Sequence, residues 1–387
     1  MYECCPSHVH DIESTDALLT HIEAVGNLKR VVIQGLDLTP EPVAHAVCSV
    51  SAEDACFLGC SLTPSVEKHI HATGGTVFPA FTGIPFHPYR AHLYTPDELM
   101  AGYRPDAPDG HTATVDHQIY TYYNERRGNG HDVPVMDALA FRIHDHAIDD
   151  ALQNLLHPND DRPDRKVVGI MGGHQLARDD ATYRQVAHMG RALTSRGFFV
   201  ATGGGPGAME AANLGAALAD APEDALEEAV RVLARAPHYT DSGFLDAARH
   251  VREMYPNQTE SLAIPTWFYG HEPSNLFSTH IAKYFANSIR EDGLLSIATY
   301  GVVYAPGSAG TIQEIFMDAA QNHYETFGPA SPMVFLDEAY WTETKPVYPL
   351  LQTLSEGTPY ADHLAITDDP ATAVEAIATA AKTRPTL

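Results

Sequence analysis

The sequence predicts an α/β protein built on parallel sheets, with a larger doubly wound C-terminal domain and a smaller N-terminal one. Three observations predict it. Short apolar runs such as Arg30–Leu38, Lys166–Gly173 and Val302–Ala305 alternate with stretches of helical spacing. A polar, Pro-bearing segment, His157–Arg165, separates two such alternating regions. In the second region two apolar runs, beginning at Phe198 and Val302, end in glycine-rich turns that open helices. Such turns bring backbone N–H groups and a helix N-terminus to bear on an anion.

The elements follow in order. A helix is expected over Ser14–Val25, with Leu18, Leu19, Ile22 and Val25 on one face. Cys4, Cys5, His8 and His10 lie close in the chain, but their spacing fits no standard zinc pattern, so no metal is expected. Arg30–Leu38, Ala55–Leu62 and Gly75–Phe81 read as strands, and Pro64–Gly75 as a helix bounded by Pro and Gly. None of these strands carries a phosphate-type turn. Residues 82–110 read as an ordered loop with a short helix at Thr95–Tyr103, and Met136–Leu156 as a long amphipathic helix. The boundary at His157–Arg165 gives domains 1–160 and 161–387. Beyond it come a strand at Lys166–Gly173, a helix at Asp180–Arg196, and the strand–turn–helix of Phe198–Ala219. A helical insertion fills about 221–262, Leu262–Asn275 is a strand and loop, and Leu276–Ala298 is read as one helix. Pro332–Asp337 is a further strand, and a strand and helix close the chain.

Length and composition narrow the function. At 387 residues the chain has room for two domains. With 24 basic and 50 acidic residues its formal charge is −26, a surface that repels nucleic acid and anionic membranes, so neither is expected as a partner. An anionic ligand would then need a local positive site. The five cysteines all fall in the first sixty residues, an odd number that argues against a disulfide framework. No long apolar run and no basic-then-apolar leader are visible, and a cytoplasmic location is expected.

The most informative stretch is VVYAPGSAGTIQEIFMDAAQNHYE, residues 302–325, a buried strand, a tight turn and a helix opened by Thr311. Glu314 sits early in that helix. It has two readings: a carboxylate complementing the helix dipole, or one aimed at a part of a ligand other than its phosphate.

Taken together, GGGPGAME at 203–210 and PGSAGTIQE at 306–314 resemble the paired motifs of the Lonely Guy family of nucleoside 5′-monophosphate phosphoribohydrolases. That family carries Gly-Gly-Gly-x-x-Gly-x-Met, then an Arg at a helix end, then Pro-Gly-Gly-x-Gly-Thr-x-x-Glu. Here the Arg is Arg290, and PTWFYGHEPSN looks like the loop of larger members that bears a Glu and an Asn, here Glu272 and Asn275. The resemblance covers roughly 165–380, and the first 160 residues fall outside it. Two departures stand out: Ser308 replaces a glycine, and Glu291 replaces the Lys that usually follows the Arg.

The resemblance implies a Rossmann-like fold and hydrolysis of the N-glycosidic bond of AMP or a related monophosphate, giving free base and ribose 5-phosphate. It implies Glu314 and Arg290 as catalytic residues. Gly173, Gly204, Gly205, Gly207, Gly307, Ser308, Gly310 and Thr311 would hold the nucleotide, with Glu272, Asn275 and Met209 near the ligand. No cofactor or metal is implied, and a homodimer or larger homo-oligomer is. The alternative is a non-catalytic nucleotide-binding protein of the same fold. His174, Tyr183, Trp267, Tyr269, His271 and the N-terminal aromatics are the ring-bearing candidates for contact with the base.

Overall fold

The computed structural model describes residues 10–105, 107, 109–128, 133–158, 164–269 and 273–383. The fold is α/β, with two parallel sheets of four and seven strands. The chain divides into two compact units, one of residues up to 92 with Val133–Ala151, the other of Leu93–Asp132 with Leu152 onward. The single boundary expected near residue 160 is therefore replaced by three crossings of the chain. The segment 93–132 joins the second unit, where Asp116 is hydrogen bonded to Trp267, Ser274 and Lys283. Contacts between residues so distant in sequence leave no local pattern.

In the first unit the strands β1 (His10–Ile12), β2 (Val31–Gln34), β3 (Cys56–Leu58) and β4 (Thr76–Phe78) pair in sequence order. Ile12, Val31, Ile33 and Phe57 from the sheet meet Leu18, Val43, Val66 and Ile70 from its helices in one buried cluster. The helices are capped as their residues dictate. Ser14 accepts from the Ala17 N–H at the start of Thr15–Val25, which ends at left-handed Gly26. Thr63 caps Pro64–Ala72 in the same way.

In the second unit seven strands follow: β5 (Val167–Met171), β6 (Phe199–Thr202), β7 (Leu262–Ala263), β8 (His280–Ile281), β9 (Val302–Tyr304), β10 (Met333–Leu336) and β11 (Leu364–Thr367). Their order is β11-β10-β9-β5-β6-β7-β8, all parallel. From β5 the chain steps outward through β6 to β8, then returns to pair β9 on the other side of β5. The order reverses between β5 and β9, and in open parallel sheets such a switch point leaves a crevice at the carboxyl ends of the strands. Every residue of β5, β6, β9 and β10 is buried, as expected for strands covered by helices on both faces.

One expected helix is shorter. Only Asn287–Ile297 of the segment Leu276–Ala298 is helical, and β8 lies within its first part. Ile281, Tyr284 and Phe285 are buried, as their apolar character requires, but through an extended chain. Short apolar runs fit strand and helix templates alike. The insertion contains the helices Ala225–Leu233 and Phe244–Met254. Among the described residues no helix is long and apolar enough to cross a membrane, and no three His, Cys, Asp or Glu side chains gather as a metal site. Cys4, Cys5 and His8 lie outside the described residues.

Candidate functional site

A cavity of about 610 Å³ opens at the switch point, within the size range of small-ligand sites. Its floor is the set of turns that follow β5, β6 and β9. Gly172 and Gly173, Gly203 and Gly204, and Pro306–Thr311 all line it. The turns interlock, since the Gly173 N–H donates to the Pro306 carbonyl and the Ala208 N–H to the Gly173 carbonyl. At Gly207, with φ of +72°, a Cβ would collide with the Gly173 carbonyl, so glycine alone permits that crossing.

The turn after β6 rests on a buried polar chain. Thr202 Oγ1 accepts from the Gly204 N–H at 3.1 Å and donates to Asn213 Oδ1 at 2.7 Å. Asn275 Nδ2 donates to the same Asn213 oxygen at 2.9 Å. Behind it, Arg178 forks onto Glu210 at 2.8 and 2.6 Å, Tyr183 donates to Glu210 at 3.0 Å, and Arg178 lies over the Phe244 ring. This buried pair is fully hydrogen bonded, the condition under which buried charge is tolerated.

Arg290 comes from the helix Asn287–Ile297 and reaches across the turn. Its Nε donates to the Ile264 carbonyl at 2.8 Å and its Nη2 to the Gly203 carbonyl at 3.3 Å. The third nitrogen, Nη1, faces Glu314 Oε1 at 3.4 Å. A Cβ at Gly203 would overlap Arg290 Nη2, so the missing side chain there is what admits the guanidinium. Glu314 lies in the helix Ala309–Tyr324, which starts without a side-chain cap, leaving its first N–H groups beside the cavity. Burial raises the Glu314 pKa above the usual carboxylate value; Arg290 opposes the rise and Glu291 adds to it.

Glu314, Arg290, Gly173, Gly204, Gly307, Ser308, Gly310, Thr311 and Met209 all line the one cavity. Gly205 does not, and Gly207 faces a neighbouring cavity of about 270 Å³ beside Arg178 and Tyr239. Asn275 is a correction: it is buried, and both ends of its amide are spent inside the protein, Oδ1 accepting from the Phe277 N–H. It supports the turn rather than facing a ligand. Glu272 and His271 lie outside the described residues. Of the other ring candidates, His174 and Tyr269 line the cavity, while Tyr183 and Trp267 are fully buried with their polar atoms paired elsewhere.

Sequence reasoning missed Gly203, Lys283, Tyr340 and Lys345 on the cavity wall. Gly203 stood inside the quoted GGGPGAME motif and was recoverable from it. Lys283 is nearly fully buried and pairs with Asp116 at 2.7 Å, a partner from 167 positions away. Glu291, the departure from the motif, is not unpartnered: Gln313 and Asn287 each donate to it at 2.6 Å.

Among the solved structures similar to part of the chain are three of molybdenum cofactor proteins. The molybdenum cofactor binding protein from the phototrophic bacterium Rippkaea orientalis is 14% identical, over 57% of this chain and 98% of that one, with a TM-score of 0.36. Two structures of the molybdenum cofactor carrier protein from Chlamydomonas reinhardtii are 13% and 15% identical, covering 56% and 57% of this chain and 99% of theirs, with TM-scores of 0.36 and 0.35. No curated protein matches the chain. Residues 165–222, which hold β5, β6 and the first glycine-rich turn, match the model of the SLOG cluster4 family.

Proposed function

We propose that the protein hydrolyses the N-glycosidic bond of a nucleoside 5′-monophosphate, releasing free base and ribose 5-phosphate. The observation that carries this reading is the Arg290–Glu314 pair, held inside a cavity whose floor is the turns after β5, β6 and β9. A cavity that only bound nucleotide through backbone amides would gain nothing from a buried carboxylate. Breaking the glycosidic bond puts positive charge on the ribose ring, as in glycoside hydrolysis. An ionised Glu314 beside the ring stabilises that charge and orients or deprotonates the attacking water.

The helix sets the spacing. Glu314 lies five residues after Ala309, about 7.5 Å along the axis, so a phosphate at the helix start leaves room for a ribose before the carboxylate. Arg290 is fixed by two carbonyls and opposes the upward shift that burial imposes on the Glu314 pKa. The Glu314 helix also carries Asp318, which accepts from the hydroxyl of Tyr304 at the end of β9 at 2.7 Å.

The test is release of free base and ribose 5-phosphate from a panel of nucleoside monophosphates. Glu314→Gln is expected to lower kcat about 10²- to 10⁴-fold, with binding kept. Activity requires the ionised carboxylate, so the acid limb of the pH profile lies above the ordinary carboxylate range, and Arg290→Ala moves it higher still. Binding of monophosphates without release of base from any of them sinks the hydrolase and leaves a nucleotide-binding protein.

A further inference from the structure

Three cations line the cavity among the described residues: Lys283, Arg290 and Lys345. Two are matched by acids, Lys283 by Asp116 at 2.7 Å and Arg290 by Glu314 at 3.4 Å. Lys345 is different. Its Nζ donates to Ser308 Oγ at 3.0 Å and to the Gly307 carbonyl at 3.2 Å, and no carboxylate of the described residues pairs with it. In a chain of net charge −26, an ammonium without an acidic partner in a cavity is an unusual placement.

Its position is built rather than incidental. Tyr340–Thr344 form one π-helical turn, a local distortion that costs backbone regularity and recurs at functional sites. Trp341 is buried, and its Nε1 donates to the Tyr304 carbonyl at the end of β9. The Tyr340 hydroxyl donates to the Gly307 carbonyl, and the Lys345 N–H closes the turn on the Tyr340 carbonyl at 2.7 Å. The turn therefore presents Lys345 to the same Gly307–Thr311 segment that begins the Glu314 helix. Ser308, which replaces a glycine of the related motif, is the residue whose hydroxyl receives it.

The geometry points to Lys345 as the residue that binds the phosphomonoester of the ligand, together with Ser308 and the free amides at the start of the helix Ala309–Tyr324. The ligand class rests on the proposed reading of the cavity as a nucleotide site, but the inference needs no catalysis. Lys345 supplies on the cavity wall a positive charge that Glu291 does not. A phosphate oxygen displaces the weak neutral contacts of the ammonium and gains a charge-assisted bond. Ligands that lack the phosphate gain nothing there.

Calorimetric titration of the 387-residue protein with ribose 5-phosphate, inorganic phosphate and ribose tests this. Lys345→Met is expected to weaken ribose 5-phosphate about tenfold or more, with ribose unaffected, and Lys345→Arg to restore most of the affinity. Equal affinity of wild type and Lys345→Met for ribose 5-phosphate overturns the inference, and so does a wild type that binds neither phosphate ligand. A melting temperature unchanged in Lys345→Met separates lost binding from lost structure. If no monophosphate is hydrolysed yet Lys345→Met still loses ribose 5-phosphate, the hydrolase reading fails and this inference stands. Where hydrolysis is found, Lys345→Met raises KM for the monophosphate and leaves kcat nearly unchanged, the reverse of Glu314→Gln.

Discussion

The two units are built on the same plan and end their strands differently. Each has a parallel sheet, and each places glycines just after its strands. In the smaller unit Gly35 and Gly59 both adopt φ of +63°, and a Cβ at Gly59 would overlap the ring of Tyr89. Tyr89 is buried there and its hydroxyl donates to the Pro79 carbonyl at 3.0 Å. His87 packs against Gly35. In the larger unit the glycine after β6 makes room for Arg290, whose Nη1 pairs with Glu314 on the wall of an open cavity. The same device thus serves two ends. A glycine at a strand end makes space, and whether that space is a core or a site depends on what the chain sends to fill it.

The largest expected effect comes from exchanging these roles. Gly203→Ala would push Arg290 aside, and misplacement of a positioning group by an ångström costs on the order of 10²-fold in rate. Because the clash is with the end of a flexible side chain, little stability is lost. Gly59→Ala, with a positive φ and a buried ring in the way, should cost roughly 1–3 kcal/mol and leave base release per folded molecule unchanged. Melting curves and activity assays on both variants decide it; a Gly203→Ala protein with normal activity breaks the comparison.

A second contrast lies in buried acids. Asp318 is fully enclosed next to Tyr304, and burial lifts its pKa from an ordinary 3.8 to about 7. The folded protein therefore holds a proton there that the unfolded chain releases near pH 4. Stability from this group is present below the ordinary value and falls as pH rises through about 7. Asp318→Asn stays neutral, so its melting temperature should gain on wild type between pH 5 and pH 8. A constant difference across that range would sink the idea.

The smallest effect is expected from Glu291→Lys, which restores the basic residue of the related motif. It loses the hydrogen bonds from Gln313 and Asn287 and removes the upward push on Glu314. The half-exposed position limits the gain in affinity for an anionic ligand to a few-fold. The acid limb of the pH profile should move down, and an unmoved limb would separate Glu291 from the site.

Much of this was legible because it is local. The strand–turn–helix motifs at 203–210 and 306–314 are contiguous, and their residue types are dictated by backbone geometry. Arg290 and Glu314 followed from those motifs and meet at 3.4 Å. The illegible parts depend on distant partners. Asp116 carries no signal of its pairing with Lys283, and the Lys345 turn depends on Trp341 reaching the end of β9. Tyr284 and Phe285 misled because an apolar residue every third or fourth position also fits a bent extended chain in a core. The motif alone points Asn275 at a ligand, while its amide is consumed by Asn213 and Phe277.

The return of the chain from the edge strand β8 to the centre of the sheet has a further consequence, for the timing of folding. Ile170 pairs with Val303, so β5 stays unpaired on one side until the chain has been made past the whole insertion and the Arg290 helix. A nascent chain released before residue 302 holds the first glycine turn but lacks Glu314, Ser308 and Lys345. Contacts of such long sequence separation form late. The turns that line the cavity are thus brought together only when β9 pairs with β5.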